Sequence, residues 1–151
     1  MANKKVNGKL KIVCLGGGIG TVNLIKGLKK YFSNITVVVS MADEGGSSGR
    51  LRRLYNIPPP GDLISCMAAL SCEPIGKLLT YRFPGNRYAK DYYLEGHKLG
   101  NLMAVAARDS KGSFEKAINF LQKIFNIKGN LLPVSSDNVS ISIKTIENFW
   151  E

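Results

Sequence analysis

The stretch CLGGGIGTVNLIKGL, residues 14–28, sets Gly16, Gly17, Gly18 and Gly20 between an apolar run and a helix-like one, with Thr21 directly after them. Glycines permit positive φ and let a ligand approach the backbone closely. The bare N–H groups at the start of a helix favour an anion. The chemistry this spacing supports is phosphate binding, and the alternative is a tight strand-to-helix turn. The loop misses the dinucleotide fingerprint G-x-G-x-x-G, because reading from Gly16 puts Thr21 where the third glycine belongs. Thr21 can instead lend a hydroxyl or cap the helix. A Walker loop is disfavoured, since its lysine and hydroxyl pair is missing.

A second polar cluster lies further on. Asp43 stands about 20 residues after the loop, where an acid bonds ribose hydroxyls in a dinucleotide site. Glu44, Gly45, Gly46, Ser47, Ser48, Gly49 and Arg50 follow it without interruption. Packing does not account for so many small, hydroxyl and charged residues together. The functional reading is a second anion-binding segment, with Arg50 holding a phosphate bidentately. The alternative is a polar loop. Asp62 closes the rigid turn PPPGD and reads as the N-cap of the apolar run after it, with a cleft-facing carboxylate as the further option. His97, the single histidine, sits in GHKLGN, four residues from Asn101. On a helix the two share a face. No grouping has metal-ligand spacing.

The elements that must position these residues follow from periodicity. Residues 11–15 read as a short buried strand, and residues 22–32 carry apolar side chains at a helical period. Residues 35–40, ITVVVS, are a β-branched strand. Strand, glycine turn, helix and strand make a βαβ unit, hence an α/β domain with a parallel sheet and right-handed crossover. Residues 41–50 are expected as a flexible loop, residues 51–55 as a short helix ended by Pro58-Pro59-Pro60, and residues 63–70 as an apolar helix. Further helices are expected over 75–83, 99–107 and 114–125, the last capped by Ser113, with a loop over 84–95. Strands are expected over 131–134 and 139–146, the second with one wet face.

The chain has 151 residues, 44% hydrophobic and 21% charged, enough for one globular domain with a core. Residues 1–10 read as a flexible basic tail. The net charge of +10 is spread along the chain and either attracts an anion, whether nucleotide, nucleic acid or acidic lipid, or simply gives a solvated basic surface. Cys14, Cys66 and Cys72 form no C-x-x-C pair and read as free thiols of a cytoplasmic protein. The apolar run near the N-terminus is too short for a signal peptide, and nothing reaches the length of a membrane span.

GGGIGT, ADEGGSSGRLR, PPGD, YRFPG, GHKLGNL and KGNLLPV occur in that order. This series resembles the gluconeogenesis factor family, the YvcK or CofD-like group of bacterial proteins, from about Lys11 to Val139. The resemblance implies a Rossmann-like, three-layer αβα fold with a mostly parallel sheet, cut as an incomplete doubly wound domain. It implies a UDP-sugar ligand, a role in gluconeogenic growth and cell shape, and no settled catalytic activity. Its CofD branch implies the alternative, a Mg²⁺-dependent transferase moving a phospholactyl group from a guanylated donor. The departures are Ile19 for a usual threonine, Glu44 for a usual aspartate, Ile64-Ser65 where an arginine is usual, and Lys98 for a usual serine. Lys98 would add a phosphate contact or block one.

The expected function is therefore a cytoplasmic nucleotide-sugar-binding protein of regulatory type. Gly16 to Thr21 would hold phosphate on backbone amides, Asp43 would bond sugar hydroxyls or a metal-bound water, and Ser47, Ser48 and Arg50 would contact phosphate. Asp62, His97 and Asn101 would line the other wall. A transferase is the second expectation, and a nucleic-acid module, suggested by charge alone and lacking a recognisable motif, is the third. Family chains run longer, so the chain is expected to self-associate or to pair with a missing C-terminal half.

Overall fold

A computed structural model describes residues 10–85, 93–139, 143–145 and 149–150. β1 (Ile12–Gly16), β2 (Ile35–Val39) and β3 (Asn130–Pro133) form a parallel sheet in the order β1-β2-β3. The register sets Cys14 beside Val37 and Val37 beside Leu131, and it sets Leu15 beside Val38 and Val38 beside Leu132. Side chains alternate across a sheet, so the first series shares one face and the second the other. Cys14, Val37 and Leu131 are buried.

α1 (Gly18–Leu28) follows β1, and α2 (Gly46–Tyr55), α3 (Gly61–Leu70), α4 (Glu73–Thr80), α5 (Leu99–Lys111) and α6 (Phe114–Ile124) lie between β2 and β3. α3 is the central helix. It packs on α1, α4 and α5 and on β2 and β3, and its Leu63, Ile64, Cys66, Met67 and Leu70 are at most 1% exposed. Seven of its ten residues are apolar, the composition of a helix buried nearly all round. Ile25, Leu79, Ile118 and Leu121 complete the core from the neighbouring helices. Among the described residues no helix is long and apolar enough to cross a membrane. The opposite face of the sheet leaves Val13, Leu15, Leu132 and Val134 exposed.

The α/β class and the parallel sheet match expectation, and several boundaries differ. α1 begins inside the glycine loop and ends at Leu28, five residues before the expected break at Ser33. The expected flexible loop over 41–50 is helical from Gly46. Ser47, Ser48 and Gly49 have low helix propensity, but all three are buried, and packing overrides propensity. α2 ends at Tyr55, capped by Asn56, which is left-handed with φ 47°, before the prolines. α4 stops at Thr80, and Arg82 instead bridges Lys98 as a short antiparallel pair. α5 runs to Lys111 and stops at Gly112. Ser113 caps α6 as expected, its hydroxyl accepting from the Lys116 amide at 3.2 Å. Of the expected last strand, Ile143–Lys144 pairs antiparallel with Phe149–Trp150. Residues 140–142 and 146–148, much of the expected 84–95 loop, and nearly all of the expected tail lie outside the described residues.

Candidate functional site

The carboxyl ends of β1 and β2 open into a cleft of about 470 Å³ lined by Gly17, Gly18, Ser40, Ala42, Asp43 and Asp62. This is where open parallel sheets place their ligands. Three chain segments build it. The glycine loop turns from β1 into α1, with Gly18 at φ 67°, a left-handed value that disfavours a side chain. The loop between β2 and α2 brings Asp43, whose Oδ1 accepts from the Gly45 amide at 3.0 Å. The first turn of α3 brings Asp62.

Asp62 does not cap its own helix, where Pro60 holds the cap position. Its Oδ2 instead accepts from the Gly18 amide at 2.8 Å. The α1 N-terminus has bare amides and a partial positive charge, and a carboxylate across the cleft satisfies both. The approach needs glycine: a Cβ on Gly17 would stand 2.6 Å from that same carboxylate oxygen. Thr21 caps nothing either. Its hydroxyl donates back to the Gly17 carbonyl at 3.0 Å, which ties the loop to the first turn. Gly20 faces open space.

A second group lies outside the cleft lining. Ser47 Oγ is 2.9 Å from His97 Nδ1 and accepts from Asn101 Nδ2 at 3.0 Å. All three residues are at most 5% exposed. His97 lies before α5, whose cap is Lys98, so no shared helix face pairs it with Asn101; Ser47 does. Burial holds the His97 ring below its ordinary pKa of 6.5, with Arg50 and Arg82 pushing the same way. The lowered pKa favours the neutral ring, and in its Nε2-protonated tautomer Nδ1 accepts a hydrogen bond from the Ser47 hydroxyl. Asn101 Oδ1 is buried without a hydrogen-bond partner among the described residues.

Ser48 is buried against the start of α3. A Cβ on Gly61 would lie 2.0 Å from its hydroxyl and 3.0 Å from Asp43 Oδ2. Arg50 spends a guanidinium N–H on the Glu95 carbonyl, and Glu44 pairs with Arg52. Gly17, Gly18, Asp43 and Asp62 thus meet at the cleft, Gly16, Thr21, Gly45 and Gly46 adjoin its lining residues in sequence, and Ser47, His97 and Asn101 meet one another outside its lining.

Sequence reasoning missed Ser40, which lines the cleft, and Ser65, whose Oγ receives Lys98 Nζ at 2.8 Å. Ser65 stands three residues after Asp62 in the sequence, and that spacing was the available signal. For a divalent cation the cleft offers two carboxylates, each with one oxygen already on a backbone amide. No cluster of three acidic, histidine or cysteine side chains fit for a metal occurs among the described residues. Two carboxylates suffice only when substrate phosphates and waters complete the shell. A second cleft, of about 350 Å³ between α6 and β3, includes Gln122. Its amide is already paired on both sides with the Leu131 backbone.

The family described as 2-phospho-L-lactate transferase CofD matches residues 12–149. The Bacillus subtilis gluconeogenesis factor is 42% identical over 132 residues, covering 87% of this chain and 40% of that protein. A Thermotoga maritima protein given the same name provisionally is 44% identical over 135 residues, covering 87% of this chain and 41% of its own. A crystal structure of a Bacillus halodurans protein superimposes with a TM-score of 0.74 at 41% identity, covering 85% of this chain and 41% of that one. The chain spans about two fifths of the length of these relatives. With its glycine loop, parallel sheet and sequence matched over nearly their full extent, this chain belongs to the CofD-like family that includes the gluconeogenesis factors.

Proposed function

We propose that this chain is the nucleotide-binding part of a gluconeogenesis-factor-type protein, taking a UDP-sugar in the cytoplasm as a regulatory ligand for carbon and cell-wall metabolism and cell shape. The observation that carries this reading is the cleft at the strand ends, where the α1 N-terminus, Asp43 and Asp62 converge. A pyrophosphate fits the amide-rich turn of Gly16 to Gly20, and Asp43 suits ribose or sugar hydroxyls. Asp62 accepts from the Gly18 amide, so a phosphate at that amide would have to share it with this carboxylate. Ser47, His97 and Asn101 act from outside the cleft lining by fixing the start of α2.

The test is thermal unfolding with UDP-N-acetylglucosamine, UDP, GDP and NAD, with and without Mg²⁺. A ligand at a hundred times its dissociation constant adds about 2.7 kcal/mol. A shift confined to the uridine ligands supports the reading, and a cooperative melt unmoved by all four rejects it for this chain. The same titration on the Bacillus subtilis relative separates a pocket shared with the rest of a longer protein from absence of binding.

The family description favours a second reading, transfer of a phosphorus-containing group. In that case Mg²⁺, held by Asp43 and Asp62, would neutralise charge on the donor phosphate. Loss of product in Asp62→Asn with nucleotide binding retained would select it.

A further inference from the structure

We infer that Lys98 is the built-in counter-cation of the cleft, a specificity residue that receives the anionic part of the ligand where a divalent ion would otherwise be needed. The inference rests on the reading above only for the identity of that anion.

Lys98 is not a surface lysine. It caps α5, is half-buried, and reaches across to α3, where its Nζ donates to Ser65 Oγ at 2.8 Å. The Ser65 hydroxyl donates onward to the Gly61 carbonyl at 2.7 Å, which leaves its oxygen free to accept from the amine. Among the described residues Ser65 is the hydrogen-bond partner of an ammonium that carries three donors. Asp62 and Ser65 are three apart on α3, hence neighbours on one helix face, so the amine is tied to the helix turn that carries Asp62, just outside the residues that line the cleft.

The charges agree with the geometry. Burial and Arg82 work against the ammonium, while Asp62 and Asp43 support it. Neither carboxylate is within ion-pair distance of it among the described residues. A half-buried cation with unspent donors next to two half-satisfied carboxylates is an unfinished electrostatic arrangement. The amine offers an anion at that end of the cleft its unspent donors, and its charge offsets part of the attraction that the two carboxylates would exert on a divalent cation.

The test is a Mn²⁺ titration of the full chain, read by water-proton relaxation, with UDP binding measured in parallel in EDTA and in MgCl₂. The variants are Lys98→Met, Lys98→Arg and Lys98→Gln, the last keeping a donor for Ser65 without the charge. The parent and Lys98→Arg take up no Mn²⁺ at millimolar concentration and bind UDP alike in both buffers. Lys98→Met and Lys98→Gln gain a Mn²⁺ site, which a further Asp62→Asn removes. Their UDP affinity drops about tenfold or more in EDTA, the size of one lost charged hydrogen bond, and recovers with Mg²⁺. Mn²⁺ binding by the parent, or no gain of a Mn²⁺ site in both neutral variants, overturns the inference. If the Mn²⁺ pattern holds while UDP binds none of the proteins, the nucleotide reading fails and the role of Lys98 stands.

Discussion

Ser47 is held from two sides inside the protein, by the His97 ring and by the Asn101 amide. Ser47→Ala leaves both partners buried and unpaired, which costs about 1–3 kcal/mol, measurable as a drop in the urea midpoint. His97 adds a pH dependence. Its folded pKa lies below the ordinary 6.5 because burial, then Arg50 and Arg82, oppose the imidazolium. Below 6.5 the unfolded chain takes up a proton that the folded chain refuses, so stability is whole above that pH and declines as pH falls towards the folded pKa. In urea melts from pH 8 downward, His97→Gln removes the part of this decline that the imidazole causes. At this scale the sequence showed which residues were chemically unusual, since GGSSGR and GHKLGN carry no hydrophobic period. It did not show that Ser47 lies between His97 and Asn101, because contacts spanning 50 and 54 residues leave no trace in local spacing. For the same reason Asp62 read as the cap of its own helix, while it caps α1, 44 residues away.

The glycines separate by element. Gly27 sits near the end of α1 with nothing within 4 Å of a Cβ placed on it. Gly27→Ala therefore stabilises the chain by about 0.5 kcal/mol or slightly more, through helix propensity and a less free unfolded state. Gly61→Ala does the reverse. Its methyl would collide with the Ser48 hydroxyl where α3 meets α2, an overpacking cost of about 1–3 kcal/mol. Thermal unfolding of the two variants side by side checks the opposite signs. β1, β2, β3, α3 and α6 were legible because each has a clear period or a continuous apolar run. The start of α2 was not, because glycine and serine signal a loop and only tertiary burial makes them helical.

At the level of the whole molecule, the sheet is covered on one face. On the other, Val13 and Leu15 of β1 are 61% and 77% exposed, and Leu132 and Val134 are 44% and 64% exposed. Apolar sheet surface of this kind marks an interface. In the relatives, of which this chain covers about two fifths, further polypeptide is available to cover it. For the chain expressed alone, a second copy is the expected cover. Sedimentation velocity is expected to show association that grows with concentration and weakens in Leu15→Lys. A compact monomer at high concentration contradicts this. The parallel sheet and helical cover followed from the βαβ pattern. The bare face was expected from the greater length of family chains, since a local pattern says that a strand is apolar without saying what covers it.

The three thiols also differ in a way that has a use. Cys72 is exposed, while Cys14 and Cys66 are buried and none is in a disulfide. Burial, reinforced by Asp62 and Cys14, pushes the Cys66 thiol up to about 12, and burial raises Cys14 as well. A maleimide dye therefore tags Cys72 first, at the start of α4, with no engineered site. Once that thiol is blocked, the rate at which a second reagent reaches Cys66 is a clock for the opening of α3. Nucleotides that close the cleft on α3 should slow that clock, so the unaltered chain can report its own ligand by the order in which its cysteines react.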